Sequence, residues 1–160
     1  MDESAFRQAR DAMASRPCAF EKAMLAGACA CPLAARRNIA EREAVSCTSP
    51  SAHGECALLC ALLRQKSAFA LKLVRIDAPL PHAKEMKLQC GGLCGVQQAL
   101  AHGAADLPSA GGPAPEGREL DVHGLVLAAQ EKFGDLHNLP FASIIQSVVA
   151  YEIRRRRAQR

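Results

Sequence analysis

The sequence predicts a compact, mainly α-helical domain with one short β-hairpin. Nearly half of its 160 residues are apolar, at 49%, which is enough to build a core and too many for a disordered chain. Most of these residues recur at helical spacings of three and four. Tryptophan is absent and aromatic residues make up only 4%, so the core must be built from leucine, alanine, valine and isoleucine.

Three helices are predicted in the first third of the chain. Phe6, Ala9 and Met13 share one face of the first helix, and a short second helix is expected to end near Gly27. A third helix is predicted from Pro32, which suits the first helical position, to about Val45. This interpretation places Cys31 at the N-cap of the third helix.

The middle of the chain predicts a long helix and then the hairpin. From Glu55 a helix follows, with an apolar stripe that comprises Leu58, Leu59, Leu62 and Leu63. The hairpin strands are predicted at about residues 69–75 and 84–90, where apolar and polar residues alternate. The alternative interpretation is a helix that continues to residue 74 and is followed by a loop.

Composition divides the chain into four parts. Residues 1–102 hold all eight cysteines and form the predicted metal-binding or cluster-binding part. Residues 103–119 are rich in Gly, Pro and Ala, as expected of a linker or flap. Residues 120–153 are predicted to be a helical pair that packs on the same domain, with Asp121 as an N-cap, and residues 154–160 form a basic tail.

Charge and hydropathy restrict the location and the partners. No run reaches the roughly 18 apolar residues that a spanning helix needs, and the charged N-terminal stretch does not resemble an export signal. We therefore expect a cytoplasmic protein with no membrane partner. The formal charge is +4, and the run Arg154–Arg157 is the one feature that makes nucleic acid a candidate partner; its simpler interpretation is a solvated end.

The eight cysteines indicate metal or redox chemistry. Reducing cytosol disfavours structural disulfides, and a domain of this size folds without them. The alternative is that all eight are small buried hydrophobic residues. Four of them lie at predicted junctions between elements and are the expected ligands: Cys31, Cys47, Cys56 and Cys90. Helix starts lower thiol pKa values, and Gly91 and Gly92 would let backbone N–H groups approach the sulfur of Cys90.

The other four cysteines receive different interpretations. Cys60 and Cys94 lie one turn inside predicted helices and suit core packing, with a ligand role in reserve. Cys29 is two residues from Cys31 and could substitute for it. Cys18 is interpreted as structural or free.

A [4Fe–4S] cluster is the favoured cofactor, and zinc is the alternative. The expected ligands are separated by 15, 8 and 33 residues, whereas structural zinc sites usually take ligands in close pairs. Iron–sulfur clusters are larger and accept ligands from separate elements. In a zinc site, His53 could join Cys47 and Cys56.

The sequence thus predicts a small iron–sulfur protein with an electron-transfer, redox-sensing or structural role. Its expected partner is a redox or assembly protein, and no catalytic residue is predicted. One alternative is a zinc-stabilised interaction module. The other is a thiol-based redox enzyme or sensor in which Cys90 reacts and Cys94 resolves.

Overall fold

The computed structural model describes residues 2–13, 16–102 and 120–152 and confirms a mainly α-helical domain with a β-hairpin. The predicted linker at 103–119 and the basic tail at 154–160 lie outside the described residues. The helices, in chain order, are α1 (Glu3–Met13), α2 (Glu21–Leu25), α3 (Pro50–Ser67), α4 (His82–Met86), α5 (Gly92–His102), α6 (Val122–Phe133) and α7 (Phe141–Ala150). The strands are β1 (Cys29–Ala30), β2 (Ala34–Ile39), β3 (Arg42–Cys47) and β4 (Leu120–Asp121).

The core forms where α3, α5, α6 and α7 pack on one another. Its fully buried side chains are mostly aliphatic, as the composition predicts, and include Leu59, Leu63, Leu93, Val126 and Ile144. In the described part of the chain, no helix is long and apolar enough to cross a bilayer.

The hairpin is real, but its predicted position is wrong. It is formed by β2 and β3, with Ala34 opposite Cys47 and Ile39 opposite Arg42. A helix was predicted here because Pro32 suits the first helical position. Tertiary contacts favour strands instead, because Ala44 and Val45 are buried and residues 16–18 pair with the outer edge of β3.

Neither of the segments predicted as strands forms a strand. Residues 69–72 continue from α3 as turns, and residues 82–91 form α4 and a π-helical turn at Lys87–Gly91. In this second segment Glu85, Met86 and all of residues 88–91 are buried. Burial of consecutive residues does not fit a strand with one solvent-facing side, so the apparent alternation was misleading.

Glycines allow the π-helical turn and α5 to approach their neighbours closely. A Cβ atom added to Gly91 would lie 2.7 Å from the Cα of Val148, and one added to Gly92 would lie 2.7 Å from a methyl of Leu63. The two glycines were expected to bring N–H groups towards a sulfur. Instead they make room for α7 and α3, which is the packing role of glycine at a close helix contact.

The C-terminal helices begin and end as the sequence indicates. The Asp121 carboxylate caps α6 by accepting a hydrogen bond from the N–H of Gly124 at 3.1 Å. The strand β4, directly before α6, pairs in parallel with β1, so that Cys29 lies opposite Leu120. This short ladder fixes the start of α6 beside the segment that carries Cys31.

Candidate metal centre

Four cysteines from four separate segments line one pocket. They are Cys18, Cys31, Cys47 and Cys56. Three of the four predicted ligands are therefore brought together, and Cys18 joins them. Cys90 is not among the residues that line this pocket.

Cys18 and Cys47 are held side by side by a short stretch of antiparallel pairing. The N–H of Cys18 donates to the carbonyl of Val45 at 2.9 Å, and the N–H of Cys47 donates to the carbonyl of Arg16 at 2.8 Å. The Arg16 guanidinium also donates to the Cys47 carbonyl at 3.2 Å. The segment that contains Cys18 thus lies along β3 in the position of a short third strand.

Buried Glu21 fixes this arrangement from the α2 side. One carboxylate oxygen accepts the N–H of Val45 at 3.0 Å, and the other accepts from the guanidinium of Arg10 at the same distance. A buried carboxylate needs such partners to offset its lost hydration. Glu21 therefore joins α2 to the strand that ends in Cys47.

Cys31 and Cys56 reach the pocket from different kinds of structure. Cys31 lies in the turn between β1 and β2 rather than at a helix N-cap. Cys56 lies almost two turns inside α3, which begins at Pro50 with Ser49 as its N-cap. The expectation that Cys56 starts a helix is therefore wrong, because the Ser-Pro signal sets the helix start earlier.

Two histidines complete the wall of the pocket. His53 and His123 both line it, together with the apolar side chains of Ala19, Ala34, Ala52 and Val122. The Nε2 atom of His53 lies 3.0 Å from the Pro17 carbonyl, which assigns Nε2–H as the donor. His53 was predicted in a loop; it lies in α3 and links that helix to the residue before Cys18.

Burial, together with the neighbouring thiols, raises the pKa of Cys18 and of Cys56. Burial raises the pKa of Cys18 to about 11, with further contributions from Cys31 and Cys47. Burial likewise raises the pKa of Cys56 to about 12, and the charges of Cys18, Cys31 and Cys47 add to the effect. A cation bound among these thiols would favour their charged forms instead.

The pocket is small in the thiol form. The space inside it holds about one water molecule, and its empty volume is about 360 Å³ when the open space at the mouth is included. Within the described ranges, no group of three or more His, Cys, Asp or Glu side chains already has the geometry of a metal site.

Cys90 and Cys94 occupy a different environment. Cys90 is 2% exposed in the π-helical turn. Burial raises the pKa of both thiols, although Tyr151 donates a hydrogen bond that partly offsets the shift at Cys90. A reactive cysteine needs a lowered pKa and access to solvent. Cys90 lacks both features, and Cys94, which is partly exposed, lacks the lowered pKa.

The remaining cysteines also have distinct surroundings. Cys60 is buried, its thiol lies 3.7 Å from the Ala19 carbonyl, and burial raises its pKa to about 11. Cys29 is buried in β1. Core packing is thus observed for Cys60, as its place in the leucine stripe indicates.

No known protein family, curated protein or solved structure matches this chain. The chemistry of the site therefore has to be argued from its own residues.

Proposed function

We propose that this chain is a small iron–sulfur protein whose centre is held by Cys18, Cys31, Cys47 and Cys56. The observation that supports this most strongly is that four thiols from four segments line one apolar pocket. Cys18 takes the place that the sequence assigned to Cys90, because Cys18 lines the pocket and Cys90 does not.

The donor set fits a soft metal centre. Thiolates select zinc, copper(I) and iron–sulfur clusters over hard cations such as magnesium. The ligands are spread over 39 positions with 12, 15 and 8 residues between successive members. Clusters accept such dispersed ligands, whereas structural zinc sites favour close pairs.

The protein's own residues would bind and shelter this centre. Because the pKa values of Cys18 and Cys56 are raised, both thiols must lose protons on binding. The thiol of Cys47 lies 3.3 Å from the Ser49 carbonyl and donates to it; this hydrogen bond also ends when the proton leaves. Ala19, Ala34 and Val122 place apolar side chains around the sulfurs.

A centre with four cysteine ligands would exchange an electron with a partner protein and join the segments that supply them. An iron–sulfur cluster supplies one-electron redox chemistry when bound. Full thiolate ligation leaves no position for a substrate, so we assign no enzymatic reaction to the site. Both imidazoles that line the pocket act as part of its wall, with His53 orienting the Cys18 segment.

Zinc is the second candidate, and the small enclosed volume of the pocket favours it. A single ion with four sulfurs at about 2.3 Å needs much less room than a cluster. A zinc centre would make the chain a metal-stabilised interaction module without redox activity.

Metal and sulfide analysis of the protein purified without oxygen tests the proposal. We expect a brown protein that contains iron and acid-labile sulfide, and we expect both to fall severalfold when Cys18, Cys31, Cys47 or Cys56 is changed singly to alanine. Cys90→Ala is the matched control and should retain both. Stoichiometric zinc without sulfide would support the second candidate, and a metal-free protein would contradict both.

A further inference from the structure

We propose that residues 69–76, together with a row of lysines beside them, form a surface that adsorbs to anionic lipid. This segment, called here the 69–76 tip, projects from the end of α3. Its role is independent of the metal centre, since Phe69 lies 13 residues beyond Cys56, roughly 20 Å along a helical path.

Two apolar side chains of the tip are almost fully exposed. Phe69 is 96% and Val74 is 98% exposed, and Ile76 is 45% exposed. The other exposed large hydrophobic residues of the described chain are between 38% and 48% exposed. Side chains with such exposed fractions do not lie in a groove. Phe69 and Val74 therefore project into solvent, where a binding partner can contact them.

The backbone holds the tip in this orientation at a conformational cost. Lys72 has a φ of +54°, a left-handed conformation that is unfavourable for a residue other than glycine. The N–H of Lys72 donates to the Phe69 carbonyl at 3.1 Å and that of Leu73 to the Ala68 carbonyl at 2.9 Å, as in a Schellman motif. Leu71 is thereby buried, while Phe69 remains outside.

The charged residues next to the tip leave an excess of lysine. Between residues 64 and 87 the only acidic residues are Asp77 and Glu85, and each is paired with an arginine. The four lysines of this stretch form no ion pair with a described carboxylate: Lys66, Lys72, Lys84 and Lys87.

The lysines lie beside the tip and along the helical turns that follow it. The ammonium of Lys84 donates to the Lys72 carbonyl at 3.4 Å, and that of Lys87 donates to the Val149 carbonyl at 2.9 Å. Apolar insertion and a polybasic segment are the two signals that together hold a peripheral protein on anionic lipid.

An anionic lipid surface fits this chemistry better than nucleic acid or a protein. Nucleic acid offers phosphates to the lysines but no apolar medium for the side chains of Val74 and Ile76. A protein partner would need pockets shaped for two isolated projecting side chains. A lipid surface accepts both without shape complementarity. The sequence expectation of no membrane partner concerned spanning helices, which adsorption does not require.

The absence of tryptophan gives a direct test. Phe69→Trp supplies a single reporter, and we expect its emission to shift to the blue with vesicles of phosphatidylcholine containing about one third phosphatidylserine. Leu127→Trp, on α6 and 48% exposed, is the matched control and should not shift. No shift at position 69, or an equal shift with pure phosphatidylcholine, would overturn the proposal.

Sedimentation with the same vesicles separates the two components of binding. Phe69→Ser combined with Val74→Ser should lower the partition coefficient roughly tenfold, and each of Lys72→Gln and Lys84→Gln about fivefold. Unchanged circular dichroism would show that the variants fold. An unchanged partition coefficient when Phe69 and Val74 are replaced would contradict insertion into lipid. Binding to nucleic acid or to an acidic protein, but not to vesicles, would contradict it as well.

Discussion

Single residues decide whether the pocket can hold a metal. Cys18 and Cys56 stay protonated well above neutral pH because burial and the neighbouring sulfurs raise their pKa. In the metal-free protein these thiols are therefore neutral and compatible with the apolar wall. Deprotonation without a cation would place several negative charges in one small pocket, which burial makes costly.

The metal-free, reduced protein should lose stability in alkali. The unfolded thiols have a pKa near 9.0, whereas the folded pKa is about 11 for Cys18 and about 12 for Cys56. Above pH 9 the unfolded chain releases protons that the folded chain retains, so the free energy of unfolding falls up to the folded pKa values. Urea unfolding at a series of pH values measures this loss.

The double variant Cys18→Ala with Cys56→Ala controls for lysine and tyrosine titration. It should show a smaller fall in stability over the same pH range, and part of the fall should remain because burial also raises the pKa of Cys60 to about 11. An equally steep fall in the double variant would show that these two thiols are not the cause.

Residue patterns predicted part of the site. Cys31 and Cys47 were predicted as ligands because each was expected at a junction between elements. Both do lie at junctions: Cys31 is in the turn after β1, and Cys47 is the last residue of β3. Cys18 could not be found in this way. Its place depends on the pairing of Pro17 with Ser46, a contact between distant segments that no local pattern reveals.

At the scale of elements, close backbone contacts explain the distorted helix around Cys90. The π-helical turn and α5 pack against α7 and α3 through Gly91, Gly92 and Gly95. Buried Gln89 completes the contact by accepting the N–H of Ala23 at 3.0 Å and donating to Glu85 at 2.8 Å. This packing, rather than ligation, accounts for the glycine pair beside Cys90.

Gly91→Ala should destabilise the fold strongly. The added Cβ would meet backbone atoms of α7 at 2.7 and 2.8 Å, and overpacking of this kind costs about 1–3 kcal/mol. Gly54→Ala is the matched control, because its Cβ would meet nothing within 4 Å; it should stabilise α3 by about 0.5–1 kcal/mol. Chemical denaturation measures both, and a Gly91→Ala protein as stable as the parent would contradict the close contact.

Helix start signals were predicted with mixed success. Asp121 caps α6 as predicted, whereas α3 starts at Pro50 with Ser49 as its cap, five residues before the predicted start. The hairpin was misplaced because β2 and β3 contain helix-forming residues, and because Ala40 reverses the chain with a φ of +54°. A turn residue without the usual glycine or asparagine gives no sequence signal.

For the whole molecule, the pocket lies where the hairpin side meets the helical core. Its four cysteines belong to the Cys18 segment, the β1–β2 turn, β3 and α3, and His123 of α6 also lines the pocket. Metal binding there would therefore join four separate segments of the chain. Binding to the folded state alone also stabilises a protein.

Cobalt(II) titration of the metal-free, reduced protein tests most directly whether these four sulfurs meet. The intensity of the sulfur-to-cobalt charge-transfer band reports the number of thiolates bound to the ion. We predict a four-thiolate spectrum for the parent and for Cys90→Ala, and a weaker band for alanine variants of Cys18, Cys31, Cys47 and Cys56. A band that is lost in Cys90→Ala and unchanged in Cys18→Ala would contradict the site.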